Sequence, residues 1–206
     1  HRFDRLQPDF AVWCHYKYMN GGPGTSAGLY INKEHFGLDA GLPGWHGNTY
    51  ETQFQLKTEF EKAHYAGGWQ TGTQPIISMA ALEGSLKMFR EAGIENLRAK
   101  SLRLTGYLMH LIYTRLERYG FSVANPRRDD RRGGHVALVH KEAVRINEAL
   151  KAANVIPDFR FPNVIRLAPV PLYVSFEDVY ELVERLADIM EQKKYEAYDN
   201  KICLVA

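Results

Sequence analysis

Cysteine is nearly absent from this chain. Cys14 and Cys203 are the only two in 206 residues, far apart and in no metal-ligand spacing. One disulfide is the most they could form, so a secreted disulfide framework is excluded and a reducing compartment is favoured. No apolar run has the length needed to span a bilayer. The first residues, HRFDRLQPDF, lack the apolar core of a signal peptide, so the expected location is the cytoplasm. The chain also begins with His1 and no Met, which reads as a piece of something longer. Charge of one sign is scarce too. A formal net charge of +2 supplies no broad field for nucleic acid. The densest basic run, Arg127-Arg128-Asp129-Asp130-Arg131-Arg132, carries two acids at its centre and reads as a solvated loop. HExxH, GxSxG and Walker patterns are missing, so neither a metal, a serine nucleophile nor a P-loop is assigned. Internal repeats and low-complexity tracts are missing as well.

What is present is an ordinary globular composition, 45% apolar and 24% charged, with enough length to bury a core as one or two domains. Residues 10–16 (FAVWCHY) read as a strand apolar on both sides and buried in an α/β sheet. Residues 27–32 (AGLYIN) read as a second strand. Residues 37–74 form a long Gly- and aromatic-rich stretch without periodicity, the kind of segment that is functional when it occurs inside a compact domain. After Pro75 a helix is expected with Ile77, Ala80, Ala81, Gly84, Leu86, Met88 and Phe89 along its apolar stripe. Gly93 breaks it. A long helix then runs over 94–118 with Leu97, Leu104, Leu108, Leu111, Ile112 and Leu116 inward, stopped by Gly120. Strands over 121–124, 135–140 and 164–168 alternate with amphipathic helices over 141–153 and 175–193, the latter opened by Ser175 and Asp178. That alternation predicts a small α+β or α/β unit. Residues 195–206 read as a loosely held tail.

The chemistry-bearing residues start with Lys17. It ends the first strand and precedes the glycine turn of CHYKYMNGGPG. A buried ammonium there would be costly unless paired, deprotonated or chemically consumed, and a lysine so placed can form an imine with an aldehyde. The plainer alternative is a strand-end lysine that snorkels to solvent. Arg166, in VIRLAP, shares a strand face with Val164 and Ala168 and needs an anion, either a protein carboxylate or a ligand's. Trp45, among glycines, is either a plane for a flat ring or part of a local cluster. Gly72-Thr73 offers an N–H and a hydroxyl to a phosphate oxygen, or is only a turn before the helix. Cys14 reads as a packed, unreactive residue.

Taken together, DFAVWCHYKYMNGGPG, GW-x-G around Trp45, LRAKSLRLTGYL, RGGHVALVH and PNVIRLAPVPLYVSFEDVY resemble the C-terminal half of the kynureninase family. The resemblance implies an α/β fold: the C-terminal part of a fold-type-I large domain of pyridoxal-phosphate enzymes over 1–93, and a small α+β C-terminal domain over 94–206. It implies pyridoxal 5'-phosphate as cofactor, held through Lys17, with Tyr16 on the phosphate, Trp45 in the cofactor pocket and Arg166 on the substrate α-carboxylate. The implied reaction is hydrolysis of L-kynurenine or its 3-hydroxy form to alanine and an anthranilate, in tryptophan catabolism and NAD biosynthesis, by a homodimer with a shared active site. Two positions depart from the family pattern. Thr73 stands where many members carry an asparagine that contacts cofactor or substrate, and Asn48 replaces a histidine near the aryl-ring site. The resemblance further implies that the stacking aromatic and the aspartate facing the pyridine nitrogen belong to the N-terminal half, so residues 1–206 alone are expected not to turn over. The alternatives are a transaminase or desulfurase of the same fold, or a half-enzyme kept as a non-catalytic interaction module.

Overall fold

The computed structural model describes residues 3–200. Two compact units divide the chain, His1–Glu91 and Ala92–Ala206. The first unit opens with a single helical turn, α1 (Phe3–Leu6), followed by β1 (Phe10–Trp13) and β2 (Gly28–Ile31). These two strands form an antiparallel pair, with Phe10 opposite Ile31 and Trp13 opposite Gly28. Residues 37–74 hold only short 3₁₀ turns, at Trp45–Gly47 and Ala66–Trp69, and one isolated bridge between Asn48 and Lys62. The unit ends in α2 (Ile76–Ala92).

The expected buried strand over 10–16 is corrected here. β1 stops at Trp13, and Phe10, Val12 and Trp13 are exposed, because within the described residues only β2 pairs with it. The stripe expected along α2 is also wrong. Leu82 and Ser85 are its buried residues, whereas Ile77, Ala80, Ala81, Gly84 and Met88 are exposed. Among the described residues of this unit, only Ile31, Ala63 and Leu82 are buried hydrophobics.

The second unit is built around a dense core. α3 (Ile94–Leu111) follows Gly93, whose φ of +76° suits a residue without a Cβ. The helix continues through a π-helical stretch, Ile112–Leu116, and a 3₁₀ turn, Glu117–Tyr119, before Gly120 ends it at φ +90°. Leu97, Leu104, Leu108, Leu111, Ile112 and Leu116 are all buried, as their spacing predicts. The sheet comprises β3 (Ser122–Val123), β4 (Val136–Val139), β5 (Asp158–Arg160) and β6 (Val164–Leu167), all antiparallel in the order β3-β4-β6-β5. One sheet face (Val136, Leu138, Ile165, Leu167) joins α3, α4 (Ala143–Ala152) and α5 (Phe176–Glu191) in a single cluster. Each fully buried leucine or isoleucine contributes roughly 2 kcal/mol by leaving water.

Two further expectations change in this unit. The basic run is not wholly solvated: Arg132 is 8% exposed, and its guanidinium donates to the carbonyls of Arg127 and Leu102 and to Thr105 Oγ1 while pairing with Asp129. That pins the loop to α3. The tail is held at its start, because Tyr195 and Tyr198 pack against the core beside the 3₁₀ turn Lys194–Ala197. Cys203 lies outside the described residues, and Cys14 is a half-buried free thiol just past β1. No helix among the described residues is long and apolar enough to cross a membrane.

Candidate active-site residues

Lys17 sits in the loop joining β1 to β2, and the loop's shape is fixed by hydrogen bonds around it. The Trp13 indole donates to His15 Nε2 at 2.8 Å, so Nδ1 carries the ring proton and donates to the Ser26 carbonyl at 2.5 Å. The Gly21 N–H returns to the His15 carbonyl at 2.8 Å, and the Asn20 N–H to that of Lys17 at 2.9 Å. Thr25 Oγ1 lies against the carbonyls of Gly21 and Gly22 and reaches Ser78 O on α2 at 3.3 Å. Gly22 and Gly24 adopt φ of +82° and +81°, conformations a side chain would strain. His15 is buried inside this turn, but Tyr16 and Lys17 project outward and are exposed. The premise that Lys17 is desolvated by a buried strand therefore fails. Its Nζ lies 5.2 Å from the centre of the Tyr16 ring.

Trp45 and the Gly72-Thr73 turn are brought together by close backbone approach. A Cβ on Gly47 would lie 2.9 Å from the carbonyls of Gly68 and Gln70, and one on Gly44 would collide with the Thr71 backbone. At Gly72 the same construction falls 4.0 Å from Trp45 Nε1. The Trp45 ring, 44% exposed, packs at 5.4 Å on Phe54 and 5.1 Å on His46. Thr73 is exposed. Asn48 is a local clip: Nδ2 donates to Trp45 O at 3.0 Å and Oδ1 accepts from the Glu61 N–H at 2.9 Å.

In the second unit Arg166 sits where strand alternation puts it, on the sheet face opposite the core. Ala137 on β4 and Asp158 on β5 flank it directly across the sheet. Asp158 Oδ2 accepts from Arg166 Nε at 2.6 Å and from Nη2, and from Arg160 Nε at 3.1 Å. The anion Arg166 needs is therefore, in this structure, a carboxylate of the protein itself. Burial, and after it the Arg166 charge, holds His135 below the usual histidine range, with Asp158 pulling the other way. Arg166 and Asp158 stand on the wall of a cavity of about 580 Å³. Among the described residues no group of three His, Cys, Asp or Glu side chains is placed to hold a metal ion.

The model of the kynureninase C-terminal domain matches residues 97–186. Over all 206 residues the chain is 50% identical to a kynureninase of Geobacillus thermodenitrificans and 48% identical to one of Shouchella clausii, covering 48% of each. The chain is homologous to the kynureninases. It spans about half the length of the curated kynureninases it matches. In shape it is similar to a cysteine desulfurase of Thermococcus onnurineus, at 15% identity and a TM-score of 0.70, with 92% of this chain and 49% of that one covered. A cystine C-S lyase solved with its cysteine persulfide product gives the same TM-score at 20% identity, over 90% of this chain and 48% of that one. These likenesses establish the fold, that of the C-terminal part of fold-type-I enzymes. The side chains that shape the Lys17 loop and the surroundings of Arg166 and are not among the expected site residues are Asp158, Arg160 and His15. Asp158 and Arg160 lie on a three-residue strand whose charges hide the alternation, and the partners of His15, Trp13 and Ser26, meet it only once the loop has folded.

Proposed function

We propose that this chain supplies the lysine and carboxylate-binding part of a pyridoxal-phosphate site that hydrolyses L-kynurenine, or its 3-hydroxy form, to an anthranilate and L-alanine. The observation that supports this most is the identity of about 50% to kynureninases along all 206 residues. The donor set suits the cofactor: an exposed primary amine at Lys17 on a hydrogen-bonded turn, hydroxyls at Tyr16 and Thr73, and an aromatic plane at Trp45 beside Gly72. When bound, pyridoxal phosphate supplies an electron sink for charge developing at the substrate's α-carbon. Lys17 would hold the cofactor, and its amine would move the proton at that carbon. Arg166 grips the α-carboxylate, which fixes the bond at the α-carbon that is presented for reaction. Tyr16 and Thr73 would donate to the phosphate, and Asn48 would border the aryl ring of the substrate.

His1–Glu91 then corresponds to the C-terminal part of a large cofactor domain and Ala92–Ala206 to the small domain. The protein works in the cytoplasm as a homodimer with shared sites, in tryptophan catabolism. The full-length protein should gain a visible absorption band on addition of pyridoxal phosphate and release alanine and anthranilate from kynurenine, with Lys17→Ala abolishing both. Consumption of kynurenine without alanine would favour a transaminase. A Lys17→Ala protein that keeps the band would overturn the assignment.

A further inference from the structure

Antiparallel register places Asp158 directly opposite Arg166, and Ala137 on the other side leaves room for the arginine stem. The contact has a particular form. Both bonds from Arg166 come from its side-on edge, Nε and Nη2, and converge on one oxygen, Oδ2. A guanidinium is a planar fork with a second, end-on edge made by Nη1 and the remaining Nη2 hydrogen. Among the described residues of this unit, Nη1 has no hydrogen-bond partner. One carboxylate thus fixes the plane of the guanidinium and leaves free the edge that can take a second carboxylate in bidentate fashion.

Neutrality would defeat such an arrangement, since a paired Asp–Arg has little attraction left for another anion. Arg160 prevents it. Its Nε shares the same Asp158 oxygen at 3.1 Å, so two guanidinium groups surround one carboxylate and the cluster stays cationic. The side chains of Arg166 and Asp158 are 37% and 39% exposed, accessible from the cavity they line.

We propose that Asp158 is the positioning residue of the Arg166 carboxylate clamp, and that Arg160 preserves the positive charge the clamp needs. This rests on the reading of Arg166 as the group that binds the substrate α-carboxylate. An untethered arginine loses considerable rotamer freedom on capturing a ligand. Asp158 removes that loss beforehand, so its effect belongs to substrate binding and not to the chemical step.

The test is steady-state kinetics of the full-length holoenzyme. Asp158→Ala should raise KM for the amino-acid substrate about tenfold while kcat changes less than about twofold. Asp158→Asn, which retains an acceptor oxygen toward the same edge, should raise KM only about threefold. In an Arg166→Ala background, Asp158→Ala should add nothing further. If Arg166→Ala raises KM and Asp158→Ala does not, or if the two effects add in full, the positioning role is wrong. If Arg166→Ala itself leaves KM unchanged, the clamp reading falls first, a separate result. Should Asp158→Ala not fold, an unchanged KM in folded Asp158→Asn overturns the proposal and a raised one supports it.

Discussion

His140 is held between two backbone groups. Its Nε2 reaches the Tyr119 carbonyl at 3.0 Å and its Nδ1 accepts the Glu142 N–H at 3.0 Å, beside the Phe121 ring at 4.6 Å. That pattern demands a neutral ring with the proton on Nε2. Desolvation by burial lowers its pKa from 6.5, reinforced by Lys141 and opposed by the Tyr119 carbonyl and Glu142. The unfolded chain therefore takes up this proton at a higher pH than the folded one. Stability is unaffected well above pH 6.5 and declines as pH falls below it. His135, lowered in the same direction, adds to the decline. Thermal melts of the chain from pH 7.5 to 5, ranges set by the ordinary histidine value of about 6.5, should show a falling midpoint whose slope is reduced by His140→Gln. An unchanged slope would remove His140 from this role. At this scale the sequence was partly legible. Alternation in VIRLA placed Arg166 correctly, because a strand's two faces follow from its period. The identity of its anion was not legible, since Asp158 meets it only through pairing with a neighbouring strand. The exposure of Lys17 and the burial of Arg132 were not legible either. Both depend on what packs around them, which residue type alone does not specify.

Among the elements, α3 and α5 were readable because each carries an apolar stripe that the same unit covers. α2 misled, since Ile77, Ala80, Ala81, Gly84 and Met88 of its expected stripe are exposed among the described residues, and periodicity predicts a face without saying what covers it. β5 was invisible: three residues with charges at both ends give no apolar alternation. The start of α5 was legible in full. Ser175 Oγ accepts the Asp178 N–H at 3.0 Å and Asp178 Oδ2 accepts the Ser175 N–H at 2.7 Å, a reciprocal capping box. The Ser175 N–H foremost, and after it the Ser175 hydroxyl donating to Oδ2 at 2.8 Å, hold the Asp178 carboxyl below the usual aspartate range. Ser175→Ala should cost about 1 kcal/mol in chemical denaturation. It should also return the Asp178 titration, followed by NMR, toward 3.8, the ordinary value. A loss of stability without that return would mean the hydroxyl acts through the Asp178 N–H it caps and not through its bond to the carboxylate.

For the whole molecule, the decisive contrast is where apolar surface goes. In Ala92–Ala206 a continuous cluster from Leu104 on α3 through Val136 and Ile165 on the sheet to Leu186 on α5 is closed to water. In His1–Glu91 buried hydrophobics among the described residues are limited to Ile31, Ala63 and Leu82, while Val12, Leu56 and Ile77 stand 76%, 96% and 92% exposed. Ordering a backbone costs about 1–2 kcal/mol per residue, and only buried area of the second unit's kind can offset that. The two units should therefore behave differently when made separately. Residues 92–206 should give a cooperative calorimetric transition with an enthalpy of about 60–80 kcal/mol, the value for a domain of roughly 100 residues. Residues 1–91 should show no cooperative transition and fast amide exchange throughout, including the hydrogen-bonded turn around Lys17. That turn is locally well specified by Thr25, His15 and two glycines, yet local specification without a core does not hold a loop. A cooperative melt of residues 1–91 would show that the exposed apolar side chains cost the unit little. Absence of a transition in residues 92–206 would instead show that the closed core needs the preceding residues to form.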